Sequence, residues 1–136
     1  MTTAVTTEPL VQRWRPRLGM SLAKCRFSYH LSDPYAVTVE TTSDSRSWTF
    51  ARSLLVEGAA GQAGVGDVRI WRVRGSDEPQ VAMLLGGSRG TLHLYAPLAS
   101  VRSFVEATER AVALGQEHQP DDLDAELEEL LGDPEP

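Results

Sequence analysis

The feature that most constrains the fold of this chain is a period-two alternation of apolar and polar residues over most of its first two thirds. In residues 22–31, Cys25, Phe27 and Tyr29 alternate with polar or charged residues, and residues 35–42 repeat the pattern. Turn-forming residues separate such stretches. Because successive side chains of a strand point to opposite faces of a sheet, the pattern predicts antiparallel β-sheets with about seven strands.

Helical periodicity begins after Pro97, where apolar residues recur about every 3.6 positions. The predicted stripe consists of Leu98, Val101, Val105, Thr108 and Val112. We expect this helix to end near Gly115. A short mid-chain helix is predicted over residues 52–57, ended by Gly58 and followed by a Gly/Ala loop over residues 58–66.

The chain is expected to form a single α+β domain over residues 1–136. Residues 1–20 are predicted to be a variable N-terminal extension or edge strand, because Glu8-Pro9 interrupts an apolar stretch. Residues 117–136 are predicted to be an acidic C-terminal helix and tail. The apolar stripe of that helix needs a surface to bury against, so three of its leucines are candidate interface residues: Leu123, Leu127 and Leu130.

Charge is distributed unevenly along the sequence. The net charge is −6, yet residues 117–136 hold nine of the 19 acidic residues and no lysine or arginine. Subtraction leaves ten acidic and 13 basic residues in residues 1–116, a net charge of +3. Such asymmetry is typical of a solvated helix face, or alternatively of a partner-binding or self-shielding tail.

A single-stranded nucleic-acid-binding module is the alternative function class. Arginines surround Trp14 and also Trp71, so both aromatic rings are candidates for base stacking. The acidic composition, with a pI of about 5.0, disfavours this class, and the acidic segment would compete with phosphate for the arginines. Protein–protein contact is favoured, with the tryptophans as core or interface anchors.

No residue pattern predicts catalysis, a metal site or a cofactor site. His30, His93 and His118 lack metal-ligand spacing, and the lone Cys25 is expected to be an inert core residue. The glycine-rich residues 58–66 lack the Lys-Ser/Thr ending of a P-loop and precede a strand. The protein is therefore predicted not to be an enzyme. Without a signal peptide or a membrane-length apolar run, it is expected to be cytoplasmic.

Several blocks of the sequence resemble, in order, the SsgA-like proteins of sporulating actinomycetes. The central blocks are Asp33-Pro34-Tyr35-Ala36-Val37, then residues 48–58 with Trp48, Phe50 and Arg52, then residues 64–71 with Asp67, Arg69 and Trp71. Weaker matches follow at residues 92–97, 103–104 and 122–127. These family-motif residues are expected to be mainly fold determinants, and they are also the candidates for direct contact with a protein partner. Arg52 is expected to pair with a carboxylate such as Asp67.

The resemblance, which is closest to the SsgB type, implies a whirly-like fold of two antiparallel sheets with helices, and no enzymatic activity. It implies a regulator of septum formation in sporulation-specific cell division, located at division septa. SsgB-type members help to bring the tubulin-like division protein FtsZ to future septa with an SsgA-type partner, and they assemble as trimers. The expected partners are therefore FtsZ, an SsgA-type protein and further copies of the chain in a homotrimer.

Overall fold

The computed structural model describes residues 4–74, 77–88 and 90–117, and these residues form nine strands and two helices. In chain order the elements are β1 (Ala4–Thr7), β2 (Leu10–Arg15), β3 (Gly19–His30), β4 (Ala36–Thr41), β5 (Arg46–Ala51), α1 (Arg52–Ala60), β6 (Gln62–Val65), β7 (Val68–Arg74), β8 (Pro79–Leu85), β9 (Leu92–Pro97) and α2 (Leu98–Ala111).

Strands β1 and β2 form one interrupted strand that pairs antiparallel with β3 in a single register. The interruption falls at Glu8-Pro9, because proline has no N–H to donate to a neighbouring strand. The Pro9 carbonyl still accepts a hydrogen bond from the N–H of Cys25, at 3.3 Å. The long hairpin therefore continues past the proline without a shift of register.

Strand β3 is shared by two parts of the sheet. Its C-terminal part pairs with β1 and β4, and β4 pairs with β5; we call this four-stranded part sheet A. The N-terminal part of β3 pairs with β2, and the strand order then continues through β9, β8 and β7 to β6. We call this second part of the sheet, from β3 to β6, sheet B. Every pairing is antiparallel, which confirms the predicted α+β class with antiparallel sheets.

Both helices cover one face of the sheets, which we call the inner face. Phe27 of β3 meets Phe104 of α2 edge to face, with ring centroids 5.7 Å apart. A single buried cluster contains residues of sheet A, sheet B and both helices. The alternation in the sequence predicted its sheet A members correctly: Cys25, Phe27, Tyr29, Val37, Val39, Trp48 and Phe50.

The strand count of about seven was too low, for two reasons. The segment predicted as an extension or edge strand contains two strands, and β2 lies inside the sheet between β3 and β9. The segment predicted as a Gly/Ala loop over residues 58–66 contains the end of α1 and all of β6. Short strands of glycine and alanine lack the apolar alternation by which strands are recognised in a sequence.

Helix α1 continues through Gly58, where the sequence predicted its end, and stops at Ala60. A Cβ at position 58 would lie 2.3 Å from Cγ2 of Ile70 on β7. Glycine therefore serves here to let the helix approach the strand, and this contact outweighs the poor intrinsic helix propensity of glycine.

Helix α2 buries four of the five residues in the stripe that the sequence predicted, and the fifth, Val112, follows the helix and is half-buried. Leu98, Val101, Val105 and Thr108 are buried, together with Phe104. The helix ends at Ala111, before the predicted stop, and Gly115 follows in the left-handed region with a φ of 86°. The predicted second C-terminal helix, with Leu123, Leu127 and Leu130, lies outside the described residues.

Candidate interaction surface

The outer face of sheet B, opposite the helices, is rich in aromatic and aliphatic side chains. Residues that lie opposite each other in an antiparallel pair share a face, so the strand register defines this surface. One row across five strands runs through Leu22, Gln12, Tyr95, Ala82 and Trp71. The next row runs through Met20, Trp14, His93, Leu84 and Arg69.

We define the apolar face by eight residues of these strands. They are Leu10, Trp14, Met20, Leu22, Trp71, Leu84, His93 and Tyr95. Leu22 is 71% exposed, Leu10 59% and Trp14 43%, and the other apolar members are exposed or half-buried. Contiguous exposure of large apolar side chains is uncommon on a monomer and typically marks a docking surface.

His93 lies at the centre of an aromatic group on the apolar face. Its ring centroid is 5.1 Å from that of Tyr95, 5.9 Å from Trp14 and 6.5 Å from Trp71. Its Nε2 atom is shielded from solvent and makes no hydrogen bond within the described residues. His93 is thus half-buried among three aromatic rings.

The end of the apolar face beside β6 contains an open depression of about 720 Å³, lined by Arg69, Trp71 and Leu84 together with residues of β6. This depression brings together two of the family-motif residues, Arg69 and Trp71. Asp67 lies outside it, in the turn before β7, where its carbonyl accepts a hydrogen bond from the N–H of Gly86 at 2.9 Å.

The strands of sheet B contain basic residues and no acidic ones. Their sequences include Arg13, Arg15, Lys24, Arg69, Arg72 and Arg74, and neither aspartate nor glutamate. Lys24 and Arg69 are exposed on the same face as Leu22 and Trp71. The surface therefore combines apolar contact area with positive charge.

The outer face of sheet A is mainly polar, with alanines at positions 4, 36 and 51. Arg26 lies 3.2 Å from the carboxylate of Glu8 and 3.2 Å from that of Glu40. The hydroxyls of Thr38 and Thr49 are hydrogen-bonded across β4 and β5 at 3.0 Å. These side chains are paired with each other, which is the pattern of an ordinary solvated surface.

The motif residues Asp33, Pro34 and Tyr35 form the turn between β3 and β4. The hydroxyl of Tyr29 donates to the Pro34 carbonyl at 3.0 Å, and the Tyr35 hydroxyl donates to the Glu117 carbonyl at 2.6 Å. The motif residues Trp48 and Phe50 are buried in the core under sheet A. The structure thus separates these five residues from the apolar face and gives them contacts within the fold.

Arg52 is a buried arginine that connects the start of α1 to the end of α2. Its Nη1 donates to the carbonyls of Thr108 and Val112, at 3.1 Å and 2.7 Å. Its Nη2 lies 2.6 Å from Oε2 of Glu117. The expected pairing with Asp67 was wrong, because the end of α2 brings Glu117 to the guanidinium. The hydrogen bond from Arg52 lowers the pKa of Glu117 below its usual value.

Arg52 also lies over the ring of Tyr29, with its Cζ atom 4.9 Å from the ring centroid. Burial raises the pKa of Tyr29 above its ordinary value. Because a buried guanidinium is stable only when it is paired, these contacts explain why the motif contains arginine at this position. Arg52 therefore holds the fold together at the end of α2 and is not a contact residue of the apolar face.

A second buried arginine, Arg13, was not identified from the sequence. Its Nη1 and Nη2 lie 3.4 Å from Oδ2 of Asp44 in the turn between β4 and β5. Thr41 donates a hydrogen bond to the same carboxylate and is the main reason that the pKa of Asp44 is lowered. Beside this pair, burial raises the pKa of the Cys25 thiol to about 11, so the thiol stays protonated at neutral pH.

Within residues 4–74, 77–88 and 90–117, no group of three or more His, Cys, Asp and Glu side chains is arranged to hold a metal ion. Neither helix in that part of the chain combines the length and hydropathy needed to cross a bilayer.

Comparison with known proteins identifies a family. The family model described as Streptomyces sporulation and cell division protein, SsgA, matches residues 23–117. The sporulation-specific cell division protein SsgB of Streptomyces coelicolor is 40% identical over 108 residues, which cover 77% of this chain and 79% of that protein. The SsgB protein of Thermobifida fusca is 33% identical over 132 residues, covering 95% and 96% of the two chains.

Solved structures agree with the sequence comparison. The crystal structure of the SsgA-like sporulation-specific cell division protein from Thermobifida fusca superposes with a TM-score of 0.79 at 32% identity, over 93% of this chain and 95% of that one. The structure from a study of SsgB mutations and longitudinal cell division in sporulating Streptomyces coelicolor gives a TM-score of 0.77 at 33% identity, over 87% and 94% of the chains. The chain belongs to the SsgA family of sporulation and cell division proteins. The resemblance seen in the sequence, including that to the SsgB type, is confirmed.

Proposed function

We propose that this protein regulates sporulation-specific cell division without catalysing a reaction, by recruiting or positioning the FtsZ division machinery at septa. Its SsgB relatives are named for sporulation-specific cell division, and the motif resemblance implies the role with FtsZ. The observation that carries the proposal is the apolar face on sheet B. This face offers a protein partner a broad apolar surface, whereas the outer face of sheet A carries two ion pairs of Arg26 and a hydrogen bond between threonines.

The chemistry of the apolar face suits a protein partner. Tryptophan and tyrosine supply large contact areas with few rotatable bonds, and they are enriched among residues that dominate binding energy. Each exposed aliphatic side chain, such as Leu22 or Leu10, contributes roughly 1.5–3 kcal/mol when it is fully buried. Lys24 and Arg69 on the same face favour a partner surface that carries negative charge.

An SsgA-type protein and further copies of this chain in a homotrimer are proposed as additional partners. Neither partner is assigned to a particular surface. Light scattering of the purified chain measures the oligomer directly, and a mass of three chains is the expected result.

The proposal is tested by pull-down of FtsZ, with and without an SsgA-type protein. The double variant Trp14→Ala/Leu22→Ala removes two exposed members of the apolar face and is expected to weaken binding by about 30-fold or more, which corresponds to about 2 kcal/mol. Thr49→Ala, on the outer face of sheet A, is the matched control and should bind as the wild type does. Absence of binding to either partner by a folded wild-type chain would refute the recruiting role.

Single-stranded nucleic-acid binding is a second candidate, favoured by one specific observation. Trp14, His93 and Trp71 lie on one face with Lys24 and Arg69, an arrangement that suits base stacking beside phosphate contacts. Fluorescence anisotropy with labelled oligonucleotides tests it, and affinity should fall steeply as salt rises. No binding at low salt would exclude this candidate.

A further inference from the structure

We infer that residues 118–136 dock on the apolar face of sheet B and compete there with the protein partner. The competition rests on the proposed function, but the docking itself does not. Three observations support it: the apolar pattern of residues 118–136, their charge, and the fixed point from which they leave the described part of the chain.

The apolar pattern of this segment matches an apolar surface. Leu123, Leu127, Leu130 and Leu131 recur at intervals of three and four, which places them on one side of a helix. A short helix with one leucine stripe gains stability mainly by burying that stripe. Inside the described domain the inner face of the sheets is already covered by α1 and α2, so the outer face of sheet B is the apolar surface that is open to it.

The charges are complementary. Residues 118–136 contain eight acidic residues, the nine of residues 117–136 less Glu117, and no lysine or arginine. The strands of sheet B contain no acidic residue, and Lys24 and Arg69 lie exposed on the apolar face. The outer face of sheet A carries Glu8 and Glu40 beside Arg26, so it offers neither apolar area nor uncompensated positive charge.

The segment leaves the domain at an anchored position. Glu117 is held by the 2.6 Å contact of its carboxylate with Arg52 and by the hydrogen bond from Tyr35 to its carbonyl. The stripe begins at Leu123, six residue steps after Glu117, so an extended linker places it up to about 20 Å from the anchor, and a helix from Leu123 to Leu131 adds about 12 Å. These lengths compare with a radius of gyration near 14 Å for a domain of this size, and a segment tethered this closely has an effective concentration of about a millimolar.

Photo-crosslinking of the full-length chain tests the docking. Benzoylphenylalanine replaces Leu22 on the apolar face or, as the matched control, Thr49 on the outer face of sheet A. Trypsin cleaves after Arg110 and meets no later lysine or arginine, so residues 111–136 form one peptide that fragmentation can map. We expect cross-links from position 22 to residues 118–136 and none from position 49.

Substitutions in the segment sharpen the test. Leu127→Asp puts a charge into the leucine stripe, whereas Ala125→Asp puts the same charge on the opposite side of the predicted helix. Leu127→Asp should reduce the cross-link yield from position 22 by about tenfold or more, because an unpaired carboxylate is costly in an apolar contact. It should also raise acrylamide quenching of Trp14 and Trp71, while Trp48 stays protected in the core. Ala125→Asp should leave both measurements unchanged.

Three outcomes would overturn the docking. They are equal cross-linking from positions 22 and 49, no cross-link from position 22 to residues 118–136, and cross-links from position 22 to the strands of a second copy. These measurements use the purified chain alone, so they are independent of the FtsZ pull-down. If the docking is correct and the recruiting role holds, Leu127→Asp should also strengthen partner binding by several-fold.

Discussion

Sheet A and sheet B share the long strand β3, yet their outer faces differ in chemistry. Strand β3 contributes Arg26 and Ser28 to the outer face of sheet A, and Met20 and Leu22 to that of sheet B. Its inner residues Cys25 and Phe27 are fully buried. In sheet A, β3 therefore alternates between buried apolar residues and solvent-facing polar ones. In sheet B its outward residues Met20 and Leu22 are themselves apolar, and Lys24 follows them on the same face.

Under the proposed function, this difference favours the outer face of sheet B as the binding surface. The polar outer face of sheet A loses hydrogen bonds and ion pairs when it is covered, so covering it contributes little. The apolar face of sheet B gains free energy when it is covered, because its exposed leucines and rings leave water. A protein that recruits a partner needs a surface whose burial is favourable. The family motifs alone did not indicate such a surface.

The largest predicted effect compares the inner and outer positions of β3. Phe27→Ala removes a buried ring that contacts Phe104, and it should lower the free energy of unfolding by about 3–5 kcal/mol. Leu22→Ala, at a position that is 71% exposed, should change it by less than about 0.5 kcal/mol. Urea denaturation of the full-length chain measures both values.

If Leu22→Ala lowered the free energy of unfolding nearly as much as Phe27→Ala, the outer face of sheet B would not be exposed as described. Such a result would mean that position 22 is covered in the folded protein, either by a second copy or by residues 118–136. Dilution separates these two causes, because only coverage by a second copy depends on protein concentration.

A smaller effect is expected at the inner face of sheet B. Gly58→Ala puts a Cβ within 2.3 Å of Ile70 on β7, and the required shift of α1 should cost about 1–3 kcal/mol. Ala60→Ser, exposed on the same helix, is the control and should be close to neutral. Thermal unfolding followed by circular dichroism checks both. A neutral or stabilising Gly58→Ala would contradict the close packing of α1 on β7.

The smallest effect concerns Glu117, which contacts Arg52 and Tyr35, and this effect depends on pH. The pKa of Glu117 is lowered in the folded protein, so its contribution to stability is present above the unfolded value near 4.5 and is lost as pH falls through the folded value. Glu117→Gln should lower stability at neutral pH and flatten the loss of stability as pH falls below about 5. Glu57→Gln, exposed on α1, is the control and should keep the wild-type pH profile. An unchanged profile in Glu117→Gln would show that the Arg52 contact adds no stability.

The sequence predicted much of the fold and part of the surface. The class, the core residues of sheet A and the buried stripe of α2 follow from periodicity, which is a local property of the chain. Trp71 and Arg69 were named as candidate contact residues, and both lie on the outer face of sheet B. Leu10, Met20 and Tyr95 were missed as members of that face, although apolar residues at both alternating positions of β2 and β9 were a signal for a strand with no solvated side.

Residues of the same type occupy different environments in this protein, and the local sequence does not predict which environment each one occupies. Trp48 is buried under sheet A, Trp71 is half-buried on the outer face of sheet B, and both lie in alternating strands. Arg52 pairs with Glu117, 65 positions away, and not with the nearer Asp67. Such outcomes depend on which elements pack together, and that is decided by non-local contacts.

The sequence by itself determined the antiparallel α+β class, the inward residues of β3, β4 and β5 in sheet A, and the family, because alternation and motif order are properties of neighbouring residues. Only the tertiary structure decided that sheet A has a solvated outer face and sheet B an apolar one, and that Gly58 lies inside a helix. The physical reason is that burial depends on which surfaces are covered, and the covering elements α1 and α2 come from distant parts of the chain.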